Sequence, residues 1–478
     1  MRILIPLLFL SGSPAAEPGA DARDAAIAWI DQVRDDLVSL NRLVWEAAEV
    51  GLEEVESSAA LARFLEKRGF RLERGIAGMP TAFVATWGSG RPVVALLAEY
   101  DALPTLSQKA EPERSPRVTG GPGHACGHSL FGTASVGAAA AIVRGMDVAK
   151  LSGTVRVYGT PAEETGIGKT FLAKEGHFDD CDVVLHWHPS DRTGAAYETT
   201  KAVVSVKIRF RGVAAHASLS PEDGRSALDA VELTNVAANY LREHLPEDSR
   251  IHYVVTDGGG QPNVVPPEAE VWYYLRGDSH RLVERMFERL RRIVEGAALM
   301  TETTFEIRVD SDTHEILPNR PLAEVLQKNL ERVGPPRFDE AERAFARKTQ
   351  APLVEARGEP IPVPLAETIE PLPAEPDHMR ASTDVGEVSW RVPTGGLRVA
   401  CYTYGAPGHS WQIVACGGMS IGEKGMLVAA KTLAAAAIDL LADPSLAAAA
   451  KADFEKRRAG KPLTSLLPPE SRAPARIR

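Results

Sequence analysis

The chain has 478 residues, 44% apolar and 25% charged, which is material for two or three globular domains with ample core. Its net charge is -10, and no basic run interleaves with aromatics, which excludes nucleic acid as a natural partner. Of the four cysteines, Cys126 lies in a metal-type motif and an odd number remains, so a disulfide framework is not what holds the fold. Cys181, Cys401 and Cys416 read as ordinary buried thiols.

Residues 1–16, MRILIPLLFLSGSPAA, carry one arginine, a short apolar core and small residues suited to cleavage. They read as a secretory signal peptide too short to span a bilayer, so the expectation is a periplasmic or secreted protein, with the cytoplasm as the alternative. No later run reads as long and apolar enough to cross a membrane. Ile27, Ile30, Val33, Leu37, Leu40 and Val44 have helical spacing over 24–48. A second helix runs from Glu54 to Arg68 and stops at Gly69. Two β-rich runs, Thr81 to Trp87 and Pro92 to Leu97, flank the turn GSGR.

The second run leads into Glu99, Tyr100 and Asp101, and Asp101 is placed to orient a metal ligand from behind. A helix rich in small residues, about Phe131 to Met146, is followed by the strand Val155 to Gly159, a short helix and the strand Val183 to Leu185. This alternation predicts a largely parallel sheet with helices on both faces and a site at its carboxyl edge.

Residues 199–311 change rhythm. Strands at Val203 to Phe210, Ile251 to Thr256, Ala269 to Leu275 and Thr303 to Val309, with helices at Arg225 to Leu245 and Ser279 to Ala297, give the order β-α-β-β-α-β of a ferredoxin-like unit. Candidate ligands lie on both sides of it. The unit is therefore an insertion into a discontinuous domain formed by 21–198 and 312–443. Residues 312–380 add two helices and a proline-rich loop, Glu423 to Leu441 an alanine-rich helix, and 444–478 a surface tail.

The chemistry concentrates in four motifs. GHACGHS packs His124, Cys126 and His128 into five positions between glycines that let the backbone bend its ligands around an ion. PAEE sets Glu163 and Glu164 at the end of a buried-looking strand, a poor place for idle charge. LHWHP brings His186 and His188, and GHSWQ brings His409. Thiolate, imidazole and carboxylate at strand ends and in glycine-rich loops are what a metal hydrolase requires.

The set AEYDALP, GHACGHSLFGTAS, GTPAEE, LHWHP, GVAAHAS, QPNVVPP, STDVGEVSW and GHSWQ, over roughly 24–443, resembles the metallo-aminoacylase and amidohydrolase family. That family includes hippurate hydrolase and the auxin-conjugate hydrolases, and the nearest branch is that of the p-aminobenzoyl-glutamate hydrolase B subunit. The resemblance implies a zinc-peptidase-like α/β/α catalytic domain and an inserted ferredoxin-like lid that also dimerises. It implies two divalent ions, Mn or Zn, held by Cys126, His128, Glu164, His188 and His409. Glu163 would be the general base for a metal-activated water, and His216 would stabilise the oxyanion, reaching across a dimer. Asn263 and Arg276 would lie near the substrate carboxylate. His124 and His186 match no ligand position, and Glu99 stands where related zinc peptidases supply a metal histidine.

The implied activity is hydrolysis of N-acyl or N-aroyl amino acids, p-aminobenzoyl-glutamate-like, by a homodimer with a possible second subunit. A metallo-dipeptidase or carboxypeptidase is the alternative. A silent metal-binding or assembly protein is another, but it has no need for a base such as Glu163.

Overall fold

The computed structural model describes residues 19–476, so the signal peptide expected at 1–16 lies outside them. The chain begins with α1 (Ala20–Gln32) and α2 (Arg34–Ala47), which divide the single helix expected over 24–48. Between them Val33 leaves helical geometry at φ -102° and ψ 17°. The break lets both segments bury their apolar faces, Ala22, Ala26 and Ile30 in one and Leu37, Leu40 and Val44 in the other. α3 (Val55–Glu66) ends just before Gly69, whose φ of 85° takes the left-handed turn that glycine permits.

Then come β1 (Arg71–Arg74), β2 (Phe83–Ser89), β3 (Val93–Ala98), α4 (His128–Ala149), β4 (Gly153–Gly159) and α5 (Gly168–Lys174). They are followed by β5 (Val183–Leu185), β6 (His188–Ser190), β7 (Gly194–Ala196) and β8 (Glu198–Thr199).

The inserted unit is β9 (Ala202–Arg211), α6 (Ala227–Leu241), β10 (Arg250–Asp257), β11 (Glu268–Gly277), α7 (His280–Thr301) and β12 (Thr304–Thr313). Its sheet order is β10-β11-β9-β12 with every neighbour antiparallel, the ferredoxin-like arrangement expected. In β11, Ala269, Val271, Tyr273 and Leu275 are buried in the lid's own core with α6 and α7. The alternation turns Tyr274 and Arg276 to the opposite face, toward the catalytic domain.

The chain returns through α8 (Arg320–Val333), α9 (Glu340–Arg357), β13 (Asp377–His378), α10 (Val385–Ser389), β14 (Thr394–Ala400), α11 (Trp411–Gly417), α12 (Ser420–Ala442) and α13 (Pro444–Arg458). The main sheet has the order β1-β2-β4-β3-β5-β14-β6, with β7 also on β14. It is parallel from β4 to β6 and antiparallel at β1, β2 and β7, so the largely parallel expectation holds only for its centre. β2 runs opposite to β3, and β7 opposite to β6, because residues 90–92 and 191–193 are too few for the helical crossover that strands of one direction need. All six residues of β3 are buried, as in a strand covered on both faces.

Two expectations are corrected. The run 444–478 is not a patternless surface tail. It opens with α13, buries Phe454 and Leu467, and donates the Leu466 N–H to Asp312 at the base of the lid, 2.6 Å away. α4 and α12 are long and apolar enough to cross a membrane, with mean hydropathy of 1.2 and 1.7. Burial within the core accounts for that composition, since most of each helix lies inside the protein.

Candidate metal centre and active site

The site is assembled at the carboxyl ends of the central strands. Glu99 and Asp101 follow β3, Glu163 and Glu164 follow β4, and His186 and His188 follow β5. Cys126 and His128 flank the start of α4. Two glycines make this approach possible. Gly127 has φ 81°, and a Cβ there would lie 2.9 Å from the Pro189 ring. A Cβ on Gly132 would lie 2.6 Å from the Glu99 carbonyl oxygen, so α4 can rest directly on the end of β3. In LHWHP the middle residue, Trp187, is fully buried, and period-2 alternation sends His186 and His188 to the opposite side, into the cleft.

Two non-glycine residues adopt left-handed backbone here, Ala162 at φ 56° and His409 at φ 57°. Such conformations cost roughly 1–3 kcal/mol each and persist where surrounding contacts fix them. At Ala162 the fixing contact is Glu54, whose Oε1 accepts the Ala162 N–H at 2.8 Å and whose Oε2 accepts the Thr81 hydroxyl at 2.9 Å. Burial and the Asp101 charge push the Glu54 carboxyl up to about 8. The strained turn aims both Glu163 and Glu164 into the cleft.

Cys126 Sγ lies 3.4 Å from His188 Nε2, and His409 Nε2 lies 3.3 Å from Glu164 Oε2. His128 Nε2 lies 3.2 Å from Glu99 Oε2 and 3.9 Å from Glu163 Oε2. Two donor groups form around the thiol, Cys126 with His128 and His188, and Cys126 with Glu164 and His409, each with ligand atoms within 4.8 Å of one another. A third group joins Glu99, His128 and Glu163.

Asp101 stands behind two of these donors. Its Oδ1 accepts from His128 Nδ1 at 2.8 Å and its Oδ2 from the Glu164 N–H at 3.0 Å. The Pro189 carbonyl accepts from His188 Nδ1 at 2.7 Å. In both rings this fixes the tautomer whose Nε2 lone pair points into the cleft.

These residues fit divalent metal. His128 Nε2, Glu99 Oε2 and Glu164 Oε1 are buried, and among the described residues none of them has a hydrogen-bond partner, the approach of the first two being a contact without hydrogen-bond geometry. Orphaned buried polar atoms are costly, and a cation bound among them would satisfy them together. The electrostatics agree. Burial and the Glu164 charge push the Cys126 thiol up, burial raises Glu164 well above the carboxylate range, and burial with the Glu99 charge raises Glu163. A bound divalent ion reverses that balance and favours thiolate and carboxylates.

Behind the donors lies Lys169 of α5. Its Nζ lies 2.8 Å from Glu99 Oε1 and 2.6 Å from Asp384 Oδ1, all three side chains essentially inaccessible. Burial opposes the ammonium charge, but Asp384 and Glu99 raise its proton affinity above the ordinary lysine value. Sequence reasoning missed Lys169 and Glu54. The one signal was the STDVGEVSW motif containing Asp384, since a solvent-shy acid needs a cation.

The remaining candidates divide. Arg276 lines the cleft and stacks on Tyr274, 5.5 Å from the ring centroid, with no carboxylate partner among the described residues. His186 lines the cleft but joins none of the three donor groups, and burial beside Lys169 pushes it down to about 3. His124 is a buried structural residue that donates to the Val44 carbonyl at 2.9 Å. His216 and Asn263 are exposed neighbours on the lid, joined by the Ala217 N–H to Asn263 carbonyl bond of 3.0 Å. Neither is among the described residues that line the cleft of its own chain.

Residues 199–301 match the M20 peptidase dimerisation domain. The chain is 43% identical to the B subunit of p-aminobenzoyl-glutamate hydrolase from Escherichia coli over 84% of this chain and 88% of that protein. It is 30% identical to the Xaa-Arg dipeptidase of Mus musculus over 92% and 95%. Among solved structures it resembles the Bacillus subtilis YXEP protein, a dinuclear metal binding peptidase, with a TM-score of 0.55 at 19% identity, covering 86% of this chain and 99% of that one. Relatedness at this identity over nearly the whole length, on a site built for metal-assisted hydrolysis, shows that the chain belongs to the M20 family of metal-dependent amidohydrolases and peptidases.

Proposed function

We propose that the chain hydrolyses the amide bond of N-acyl or N-aroyl amino acids, p-aminobenzoyl-glutamate foremost, with two divalent ions, Mn or Zn, as cofactors. The observation that carries this reading is the position of Glu163. It shares the cleft with both donor groups built on Cys126 but belongs to neither. When bound by Cys126, His128, His188, Glu164 and His409, the ions would supply Lewis acidity, easing deprotonation of water and polarising the scissile carbonyl. Glu163 takes the proton of the attacking water and returns it to the leaving amine. Arg276 offers its guanidinium fork to the substrate carboxylate.

His216 is assigned to the oxyanion in the cleft of a second copy, together with Asn263 at the carboxylate, which requires a homodimer through 199–311. Exposed Val213, Leu219, Tyr240 and Val254 on the lid support such a surface. The Escherichia coli relative is named as one of two subunits, and its A-type counterpart is also similar to this chain, so a heteromeric assembly is a further proposal. Export follows from residues 1–16 as a proposal, and N-terminal sequencing of the natural protein that returned Met1 would refute it.

The test is amine release from a panel of acyl-amino acids and dipeptides by EDTA-treated protein given back Mn or Zn. Turnover of acyl-glutamates supports the reading. Turnover of dipeptides alone would make the chain a dipeptidase, and metal binding without any turnover would make it the silent assembly protein.

A further inference from the structure

Two charged groups line the cleft besides the carboxylates at the metal donors, and the proposed function uses one, Arg276 of the lid. The other is an ion pair beside His188. Arg398 of β14 is registered against His188 of β6 in a parallel pair, which points both side chains to the same face of the sheet. Its Nη2 lies 2.7 Å from Glu198 Oε1. Glu198 stands on β8, locked in place by pairing with β13 through Asp377. Its side chain is 13% exposed, and the one hydrogen bond it accepts among the described residues is that of Arg398 at Oε1. The same cleft is lined by the apolar side chains of Phe131, Ile316 and Val385.

A substrate held by its carboxylate at Arg276 presents its amide to the donor groups and extends its acyl half toward Glu198. We propose that Glu198, fixed by Arg398, determines acyl specificity by accepting a hydrogen bond from an amino group at the far end of a flat, apolar acyl group, an arylamine. The proposal rests on the amidohydrolase reading. The apolar walls suit a ring, and the unmet carboxylate oxygen suits a donor on that ring. A substrate that lacks the donor leaves this acceptor without a bond, which is how a polar group in a binding cleft discriminates.

The experiment compares p-aminobenzoyl-glutamate with benzoyl-glutamate, on the metal-replete wild type and on Glu198→Gln. That substitution keeps size but puts an amide NH2 where Oε2 stood, a donor facing a donor. The wild type should favour the aminobenzoyl substrate in kcat/KM by on the order of 10- to 100-fold, the value of a hydrogen bond to a charged group. Glu198→Gln should cleave the two within about threefold of each other. In a measurement that needs no variant and no turnover, p-aminobenzoate should bind the wild type at least about tenfold more tightly than benzoate. Equal handling of the two substrates, an unchanged preference in Glu198→Gln, or equal binding of the two acids would each overturn the subsite. Failure to cleave any acyl-glutamate would overturn the amidohydrolase reading instead, and the binding measurement would still decide on Glu198.

Discussion

Replacing Lys169 by Met should be among the most damaging single changes in the catalytic domain. The ammonium sits 2.8 Å from one buried carboxylate and 2.6 Å from another, with the three side chains 0%, 1% and 0% exposed, so solvent cannot stand in for it. Removing one partner of a buried ion pair leaves an uncompensated charge and costs about 3–5 kcal/mol. At about 2 °C per kcal/mol for a large domain, the thermal midpoint should fall by roughly 6–10 °C. Lys169→Met combined with Asp384→Asn should recover part of the loss, because the second change removes the stranded charge. Melting curves on metal-free protein read this directly. The Glu99 oxygen that Lys169 holds aims its partner at His128, so metal affinity should also drop, by about 10- to 100-fold. A Lys169→Met protein that melted within about 1 °C of wild type would refute the idea that the pair is a structural support of the site.

Metal analysis after reconstitution should give close to two divalent ions per chain, and Cys126→Ala should lose affinity while Cys181→Ala does not; equal behaviour would remove the special role of Cys126. His280 gives a pH test far from the metal donors. Burial works against its cation, but Asp312, 2.8 Å away, raises it above the usual histidine range. A raised folded-state value contributes stability that is complete below the unfolded value near about 6.5 and disappears as pH rises through the folded one. His280→Gln should therefore lower the melting temperature more at pH 6 than at pH 9, and an equal cost at both would contradict the assignment. Light scattering at micromolar concentration should show a dimer, and His216→Ala should lower kcat with metal content unchanged; a monomer with full activity would overturn the shared site.

Much of this was legible because local pattern and fold agree. The lid could be read strand by strand because β11 alternates buried and half-buried residues along its length. The donor residues stood out because histidine, cysteine and paired glutamates are uncommon at strand ends. The break at Val33 was invisible because the apolar spacing runs through it without interruption. Lys169 was invisible for a different reason, as its partner Asp384 lies 215 positions away and an isolated lysine reads as solvated surface. The helix at 444–458 did carry a start signal, Asp443 before Pro444, and Asp443 caps it by accepting the Ser445 N–H at 2.9 Å. Its alanine-rich body hid the rest, since a helix packed through small residues shows no strong apolar stripe.

The central claim is that Glu163 moves the proton while its neighbour Glu164 holds metal. Turnover of p-aminobenzoyl-glutamate by metal-replete Glu163→Gln tests it most directly, because the substitution keeps size and hydrogen bonding and removes only the base. General acid–base assistance is typically worth about 10²- to 10⁴-fold, so kcat should fall by at least that factor with both ions retained and the melting temperature near wild type. A Glu163→Gln enzyme that held both ions and turned over at close to the wild-type rate would contradict the account.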